Sequence, residues 1–357
     1  MQDSLRQALL SGAAFIDVRA PIEAAQGSIP NALNLPILTD EERVEVGVSH
    51  KANGADAAKA LGHKLVSGDV KTARVGQWVR QVNAHPETHL FCARGGQRSQ
   101  IACEWLRDAG VSVTRVDGGY KRIRNLLMSE LTLDEQELTL LGGSTGVGKT
   151  DFLVQDPVHI DLEGLANHRG SAFGSAAEPQ PSQASFENAL AVALMKWKAA
   201  PARLLLEDEG RLIGRVHLPQ PIQEAMKAAP IVILEAPFEV RVERILNDYV
   251  VEQSQDFNQV FGDQGFDAYR TYLTEALSKI KKRLGGEQYQ ICRKLMDTAL
   301  AAQLCGNSEL HSAWIVHLLK HYYDPMYDYQ LSLKTDRIVF RGDSTGCRDY
   351  LQHSRTS

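Results

Sequence analysis

Cysteine is scarce in this chain of 357 residues, and what there is does not pair. The five cysteines (Cys92, Cys103, Cys292, Cys305 and Cys347) are odd in number, scattered, and free of any C-x-x-C spacing. That excludes a disulfide framework and a zinc site of the usual spacing, and it fits a reducing, cytoplasmic setting. No apolar run approaches the ~20 residues that span a bilayer. The start, Met1-Gln2-Asp3-Ser4-Leu5-Arg6, has neither the charged nor the apolar region of a secretory signal. No membrane role is expected, and there is no internal repeat. Positive charge is also short. With 39 Lys and Arg against 44 Asp and Glu, the net charge is −5. The molecule as a whole is therefore not a basic nucleic-acid binder, although a local basic face is open to it. The remainder, 43% hydrophobic and 23% charged, is the profile of a globular protein long enough for two or three domains.

Against this background two loops stand out. Phe91-Cys92-Ala93-Arg94-Gly95-Gly96-Gln97-Arg98-Ser99 carries a thiol; Gly143-Ser144-Thr145-Gly146-Val147-Gly148-Lys149-Thr150 does not. Each follows a short apolar run and opens a helical pattern. Upstream, residues 13–19 and 89–92 read as buried strands, 99–109 as a helix stopped by Gly110, and 111–116 as a further strand, which is a parallel βαβ pattern. An acidic stretch, Leu131 to Glu137, marks a boundary. Beyond it, 138–141, 158–161, 204–207 and 231–235 read as strands of a second buried parallel sheet. Pro179 to Ser185 reads as an exposed loop. From Pro237 to about Tyr323 the pattern is mostly helical, clearest over 240–249 and 268–284. The alternation in 329–333 and 337–340 predicts a hairpin.

In the thiol loop, cysteine at a strand end, a glycine-containing turn and arginine at the helix start make an anion cradle. Backbone N–H groups and the helix dipole favour a negative charge there, and the same field favours thiolate. Arg94 and Arg98 add charge-assisted hydrogen bonds. Cys92 is thus placed as a nucleophile or a chalcogen carrier, whereas Cys103, on a helix with apolar neighbours, reads as structural. Five residues separate Cys92 from Arg98.

The second loop matches the Walker A pattern in full and in the right context, after a strand and before a helix. The backbone amides of Gly143, Ser144, Thr145, Gly146, Val147 and Gly148 would cradle a phosphate. Lys149 would neutralise it, and Thr150 would ligate Mg²⁺. The metal's acidic partner is sought at the end of a later strand, among Glu207, Asp208 and Glu209 or at Asp161 and Glu163. His168, Arg169 and Arg211 are further phosphate candidates. No adenine-reading motif is evident. A non-nucleotide diphosphate would satisfy the same amides, so ATP is not required.

The run Asp17-Val18-Arg19-Ala20-Pro21-Ile22-Glu23, then Gly27-Ser28-Ile29-Pro30-Asn31-Ala32-Leu33-Asn34-Leu35-Pro36, resembles the opening motif of rhodaneses, and Val116-Asp117-Gly118-Gly119-Tyr120 resembles their closing motif. The resemblance covers most of residues 5–128 and implies a persulfide-type intermediate on Cys92. The usual rhodanese loop has four residues between cysteine and arginine. The longer spacing here resembles the loop of cysteine-dependent phosphatases and suggests a phosphate-sized donor.

With the P-loop region, Asp161-Leu162-Glu163-Gly164-Leu165-Ala166-Asn167-His168-Arg169-Gly170-Ser171, Leu206-Glu207-Asp208-Glu209-Gly210-Arg211-Leu212-Ile213-Gly214 and Tyr322-Tyr323-Asp324-Pro325-Met326-Tyr327, nearly the whole chain resembles the bacterial tRNA 2-selenouridine synthases. That resemblance implies an α/β fold. It comprises a rhodanese-like parallel-sheet domain (1–130), a P-loop NTPase-like α/β domain (137–236) and a mostly helical C-terminal region with the hairpin (237–357), packed on the P-loop domain. It implies a transferase acting at the wobble uridine of tRNA. Geranyl diphosphate alkylates the 2-thio group, and selenium from selenophosphate then replaces S-geranyl to give 2-selenouridine.

In that scheme Cys92 carries selenium, while Arg94, Gly95, Gly96, Gln97 and Arg98 hold selenophosphate. A monomer is expected. Candidate RNA contacts are the basic runs at 121–124, 279–283 and 293–294, with aromatic stacking near Lys320-His321-Tyr322-Tyr323. Two rivals rest on the loops alone. One is a cysteine-dependent phosphatase or reductase fused to an ATP-dependent kinase; the other is a non-enzymatic P-loop scaffold.

Overall fold

A computed structural model describes residues 2–356. Contacts divide the chain into two compact units. The first runs to Leu131 and takes in Ser182–Ala199; the second comprises Thr132–Pro181 and the chain from Ala200 onward.

The first unit is built on four parallel strands: β1 (Phe15–Asp17), β2 (Ala32–Asn34), β3 (His89–Phe91) and β4 (Thr114–Arg115), in the order β2-β1-β3-β4. Alternation along β1 and β3 sends Ile16 and Leu90 into a core with Trp78, Val82, Trp105 and Leu106. Phe91 stacks with Tyr120. The expected strand over 111–116 is real only at Thr114–Arg115. Three features went unread in the sequence. Strand β2 has only three residues, none β-branched. The helices Asp40–Leu65 and Gly68–Ala84 were not assigned either.

The helix Gln183–Ala199 is the larger surprise, since the expected division put it with the P-loop sheet. It buries Phe186, Leu190, Leu194 and Met195 within the first unit. Its fully buried Asn188 donates to Ser28 O (2.6 Å) and Tyr120 Oη (3.0 Å), and accepts from Arg124 (2.8 Å). The expected exposed loop at Pro179 to Ser185 therefore ends in a docked helix start, where Ser185 Oγ accepts from Ser28 N.

The second unit holds the sheet β10-β9-β5-β6, all parallel, from β5 (Leu138–Gly142), β6 (Leu204–Glu207), β9 (Ile231–Leu234) and β10 (Ile338–Gly342). Between β6 and β9 lies a small antiparallel pair, β7 (Leu212–Ile213) with β8 (Val216–His217). Strands β5, β6 and β9 are buried throughout, which explains their mostly apolar sequences, with Thr139 in β5 and Glu207 at the end of β6 as the polar exceptions. Residues 158–161 are not a strand; His159 makes a single bridge to Leu205. The region 237–323 is helical as expected, around Tyr269, Leu277, Met296 and Trp314.

The C-terminal hairpin is a correction. Tyr329 to Ser332 belong to the helix Asp324–Ser332, started by Pro325 in its first turn. Ile338–Gly342 runs parallel to β9. Five alternating residues fit a helix face as well as a strand, and a parallel partner arrives by a crossover, never by a tight turn.

A buried ion pair ties β1 to its neighbours. Asp17 is 0% and Arg19 3% exposed. Arg19 reaches Asp17 Oδ2 at 2.6 Å and Gly27 O at 2.7 Å, and its guanidinium lies 3.9 Å from the Tyr120 ring centroid. Arg19→Ala leaves the Asp17 charge buried and alone, a loss of about 3–5 kcal/mol. Native-state hydrogen exchange should show amide protection across β1 and β3 falling by roughly a hundredfold or more. The double variant Asp17→Leu/Arg19→Leu should recover part of that loss.

Candidate functional site

The thiol loop joins β3 to the helix Gln97–Asp108. Cys92 is 3% exposed, and its Sγ lies 3.2 Å from Ser99 Oγ. Burial pushes the Cys92 thiol up, but the Ser99 hydroxyl, the backbone N–H groups of Ser99 and Arg94, and the Arg98 charge outweigh it. The net shift is down. Cys103 goes the other way, pushed up by burial. Of the two thiols, Cys92 is the one whose surroundings favour the thiolate form.

The loop is braced from behind by the closing motif. Gly118 and Gly119 both take positive φ (76° and 56°). A Cβ on Gly119 would sit 2.1 Å from Cys92 O and 2.5 Å from Gly95 N. Tyr120 N donates to Cys92 O (2.8 Å), Lys121 N to Ala93 O (3.0 Å), and Arg115 Nη1 to Gly95 O (2.8 Å). The Gly-Gly pair is thus required by close backbone approach. Arg98 is not loose in the cradle: Glu23 holds it through two hydrogen bonds, at 2.5 and 3.0 Å. Arg94 is exposed and makes no ion pair among the described residues. Ser99, Glu23 and Gly119 are site residues that the sequence reading left without a role. Their only signal was membership of the opening, closing and loop motifs.

The P-loop joins β5 to the helix Lys149–Val154. Gly146 and Gly148 take positive φ (81° and 90°). Lys149 Nζ folds back on Gly143 O (3.2 Å). Thr150 Oγ1 donates to Glu207 Oε1 (3.2 Å) at the end of β6. Glu207 is fully buried, and its Oε2 has no hydrogen-bond partner. A hydroxyl beside a buried carboxylate with a spare oxygen is the donor set that suits a Mg²⁺ ion at a P-loop.

Two arginines that the sequence reading passed over lock the loop. Arg241 Nε donates to Thr145 O (2.9 Å) while its guanidinium grips Asp324, and Arg244 Nη1 donates to Gly146 O (3.0 Å). Their signal was present: Arg241 is four residues before the buried Ile245, on the inner face of its helix.

These elements open on a cavity of about 1780 Å³. Asp161, Glu163, His168, Arg169, Asp208 and Glu209 all line it, with Lys149 and Thr150. Burial, joined by the neighbouring Glu207 and Glu209 carboxylates, pushes Glu163 well above the usual carboxylate range; Glu207 and Glu209 are raised as well. Gly170 leaves room for this cluster, since a Cβ there would meet Glu163 Oε1 at 2.3 Å.

Several candidates have structural duties. Asp208 is ion-paired to Lys334 (2.7 Å), Asp161 caps a helix through Gly164 N (2.7 Å), and Arg169 donates to Asp248 O (2.7 Å). Arg211 is exposed and lies outside the cavity lining. Tyr322 and Tyr323, expected to stack on a base, are each only 8% exposed, and Arg124 is tied to Asn188 and Glu187.

The Ser99 contact carries a measurable consequence. In Ser99→Ala the Cys92 thiol loses the strongest influence lowering its pKa. The pH midpoint of Cys92 alkylation by iodoacetamide should therefore move to higher pH, with Cys103 slower than Cys92 in the parent protein. Peptide mapping by mass spectrometry across a pH series checks both.

Comparison with known proteins agrees with this architecture. Residues 136–357 match the family model described as the tRNA 2-selenouridine synthase AAA domain, and residues 1–126 match the rhodanese-like domain. A protein of Shewanella loihica named tRNA 2-selenouridine synthase is 46% identical over 353 residues, covering 98% of this chain and 95% of the relative. One of Shewanella oneidensis with the same name is 47% identical over 353 residues, covering 98% and 94%. One of Salmonella schwarzengrund, again so named, is 47% identical over 342 residues, covering 94% and 95%. The chain, an enzyme with a rhodanese-like unit and a P-loop α/β unit, belongs to the tRNA 2-selenouridine synthase family.

Proposed function

We propose that this chain exchanges the 2-thio group of the wobble uridine of tRNA for selenium in two steps, one at each loop. The observation that carries the reading is the cavity at the P-loop. Its volume, about 1780 Å³, exceeds the roughly 300–1,000 Å³ of an ordinary small-molecule site. It therefore has room for two reactants. Its lining combines the phosphate-gripping loop with apolar side chains, among them Val240, Leu246, Ile280, Met326 and Leu331. A prenyl diphosphate has that division of character.

In the first step the thione sulfur attacks C1 of geranyl diphosphate. The S–C bond forms, the C–O bond breaks with its electron pair leaving on the diphosphate, and the N3 proton of the base is released. The P-loop amides and Lys149 stabilise the departing charge. Thr150 and Glu207 would hold a Mg²⁺ ion, which would supply further charge neutralisation there. Alkylation matters because a thione is a poor leaving group, whereas a thioether departs as thiolate.

In the second step selenium displaces S-geranyl at C2. The thiol loop binds selenophosphate, with Arg94, the Gly95-Gly96 turn and Gln97 around the anion and Arg98 held in place by Glu23. The Cys92 thiolate attacks phosphorus: the S–P bond forms, the P–Se bond breaks and selenide is released to attack C2. There the C2–S bond breaks with geranyl thiolate leaving. Water then splits the S–P bond, freeing the cysteine and phosphate. The C-x5-R spacing suits a tetrahedral donor. ATP has no role in this scheme.

Nucleoside mass spectrometry of tRNA from cells carrying single variants tests the division of labour. Cys92→Ser should leave S-geranyl-2-thiouridine accumulating with no selenouridine. Lys149→Ala should abolish the geranylated species and leave 2-thiouridine. Normal selenouridine in both variants would end the reading.

A further inference from the structure

The P-loop cavity is divided in charge. Beside Lys149 its lining includes Asp161, Glu163 and Glu209, while Glu207 is buried next to Thr150 outside the lining. Its wall includes three cations from the end of the helix Gly265–Leu284: Lys279, Lys282 and Arg283. All three are exposed, and none makes an ion pair or ring contact among the described residues. Some other basic groups of the chain are engaged elsewhere. Arg293 is paired with Asp297 (2.9 Å), Arg124 with Glu187, and Lys281 lies 5.0 Å from the Tyr289 ring centroid. Lys279 is close enough to the cavity interior that its charge adds to burial in holding His168 below the usual histidine range.

The spacing is informative. Positions 279, 282 and 283 are i, i+3 and i+4, one face of a helix. Lys281 falls off that face and is absent from the cavity lining. Favourable interaction with the helix C-terminus would apply equally to Lys281, so it does not explain why the other three are the ones turned to the cavity.

We propose that Lys279, Lys282 and Arg283 form the wall that grips the RNA backbone and delivers the unpaired base into the P-loop cavity. This rests on the tRNA reading above and names the surface that serves it. Backbone phosphates meet the exposed cations on this wall, and the uncharged base passes inward to the P-loop side of the cavity. Only the lysine off the face, Lys281, is excluded.

The test is binding of a tRNA anticodon stem–loop carrying 2-thiouridine, followed by fluorescence anisotropy across a salt series. Lys279→Glu/Lys282→Glu/Arg283→Glu should weaken binding at least roughly tenfold near 0.1 M salt. It should also flatten the slope of log affinity against log salt by about 2, at roughly 0.7 per lost contact with an unpaired strand. Lys281→Glu, with the same kind of charge reversal, should stay within about twofold of the parent. An unchanged melting temperature and unchanged geranyl diphosphate binding control for folding, and Lys282→Glu alone provides a milder variant. Parent-like RNA affinity in the triple variant, or an equal loss in Lys281→Glu, overturns the proposal. So does a loss confined to geranyl diphosphate. A parent protein that binds the stem–loop through this wall but transfers neither geranyl nor selenium to it would instead sink the reaction scheme and leave the surface standing.

Discussion

A loop that holds an anion with its backbone N–H groups cannot also use those groups to hold itself, and both loops of this protein meet that constraint through their carbonyls. In the first unit Arg115 ties Gly95 O, while Tyr120 N and Lys121 N tie Cys92 O and Ala93 O. In the second, Arg241 ties Thr145 O and Arg244 ties Gly146 O. Arginine suits this duty because its planar fork donates in several fixed directions at once. Arg241 bonds to the loop with Nε and still grips Asp324 with its other nitrogens. The loops are thus held largely through their carbonyls, although Val147 N also donates to Ser144 O (3.2 Å), and their shape is set before a ligand arrives.

Glycine is the other half of the same device. Gly119 lies so close to the Cys92 carbonyl that no side chain fits. Gly148 takes positive φ with the Arg244 guanidinium 2.7 Å from where its Cβ would be. At Gly148 the missing side chain leaves the space that the Arg244 guanidinium occupies, and at Gly119 it lets the closing motif approach the thiol loop's backbone.

Much of this was legible in the sequence, and the reasons for the rest are physical. The two loops announced themselves because their chemistry demands fixed residues at fixed spacing, and the strands β5, β6 and β9 because burial on both faces leaves a mostly apolar run. The helix Gln183–Ala199 gave no sign of packing beside Tyr120 and Asn188's partners, because an apolar helix does not state which sheet it covers. The tail at 329–342 misled because five residues carry too little periodicity to separate helix from strand. Arg241 and Arg244 were passed over because arginines on a predicted helix read as solvated charge until one of them is found 7% exposed. Tyr322 and Tyr323 are each only 8% exposed, and what surface they keep lines the P-loop cavity.

The charge layout answers a difficulty posed by the composition. A protein of net charge −5, in the proposed reaction, must accept a diphosphate, a selenophosphate and an RNA. It does so by local arrangement, since potentials at short range follow neighbouring groups more than the total. At the P-loop three carboxylates surround one lysine, and burial raises all three. A diphosphate can enter such a place only if those carboxyls hold protons or face a cation. The buried, unpartnered oxygen of Glu207 beside Thr150 is where a cation would meet both needs. The exposed cations Lys279, Lys282 and Arg283 stand on the cavity wall, so an RNA backbone finds its counter-charge there and an uncharged base is the part free to go further in.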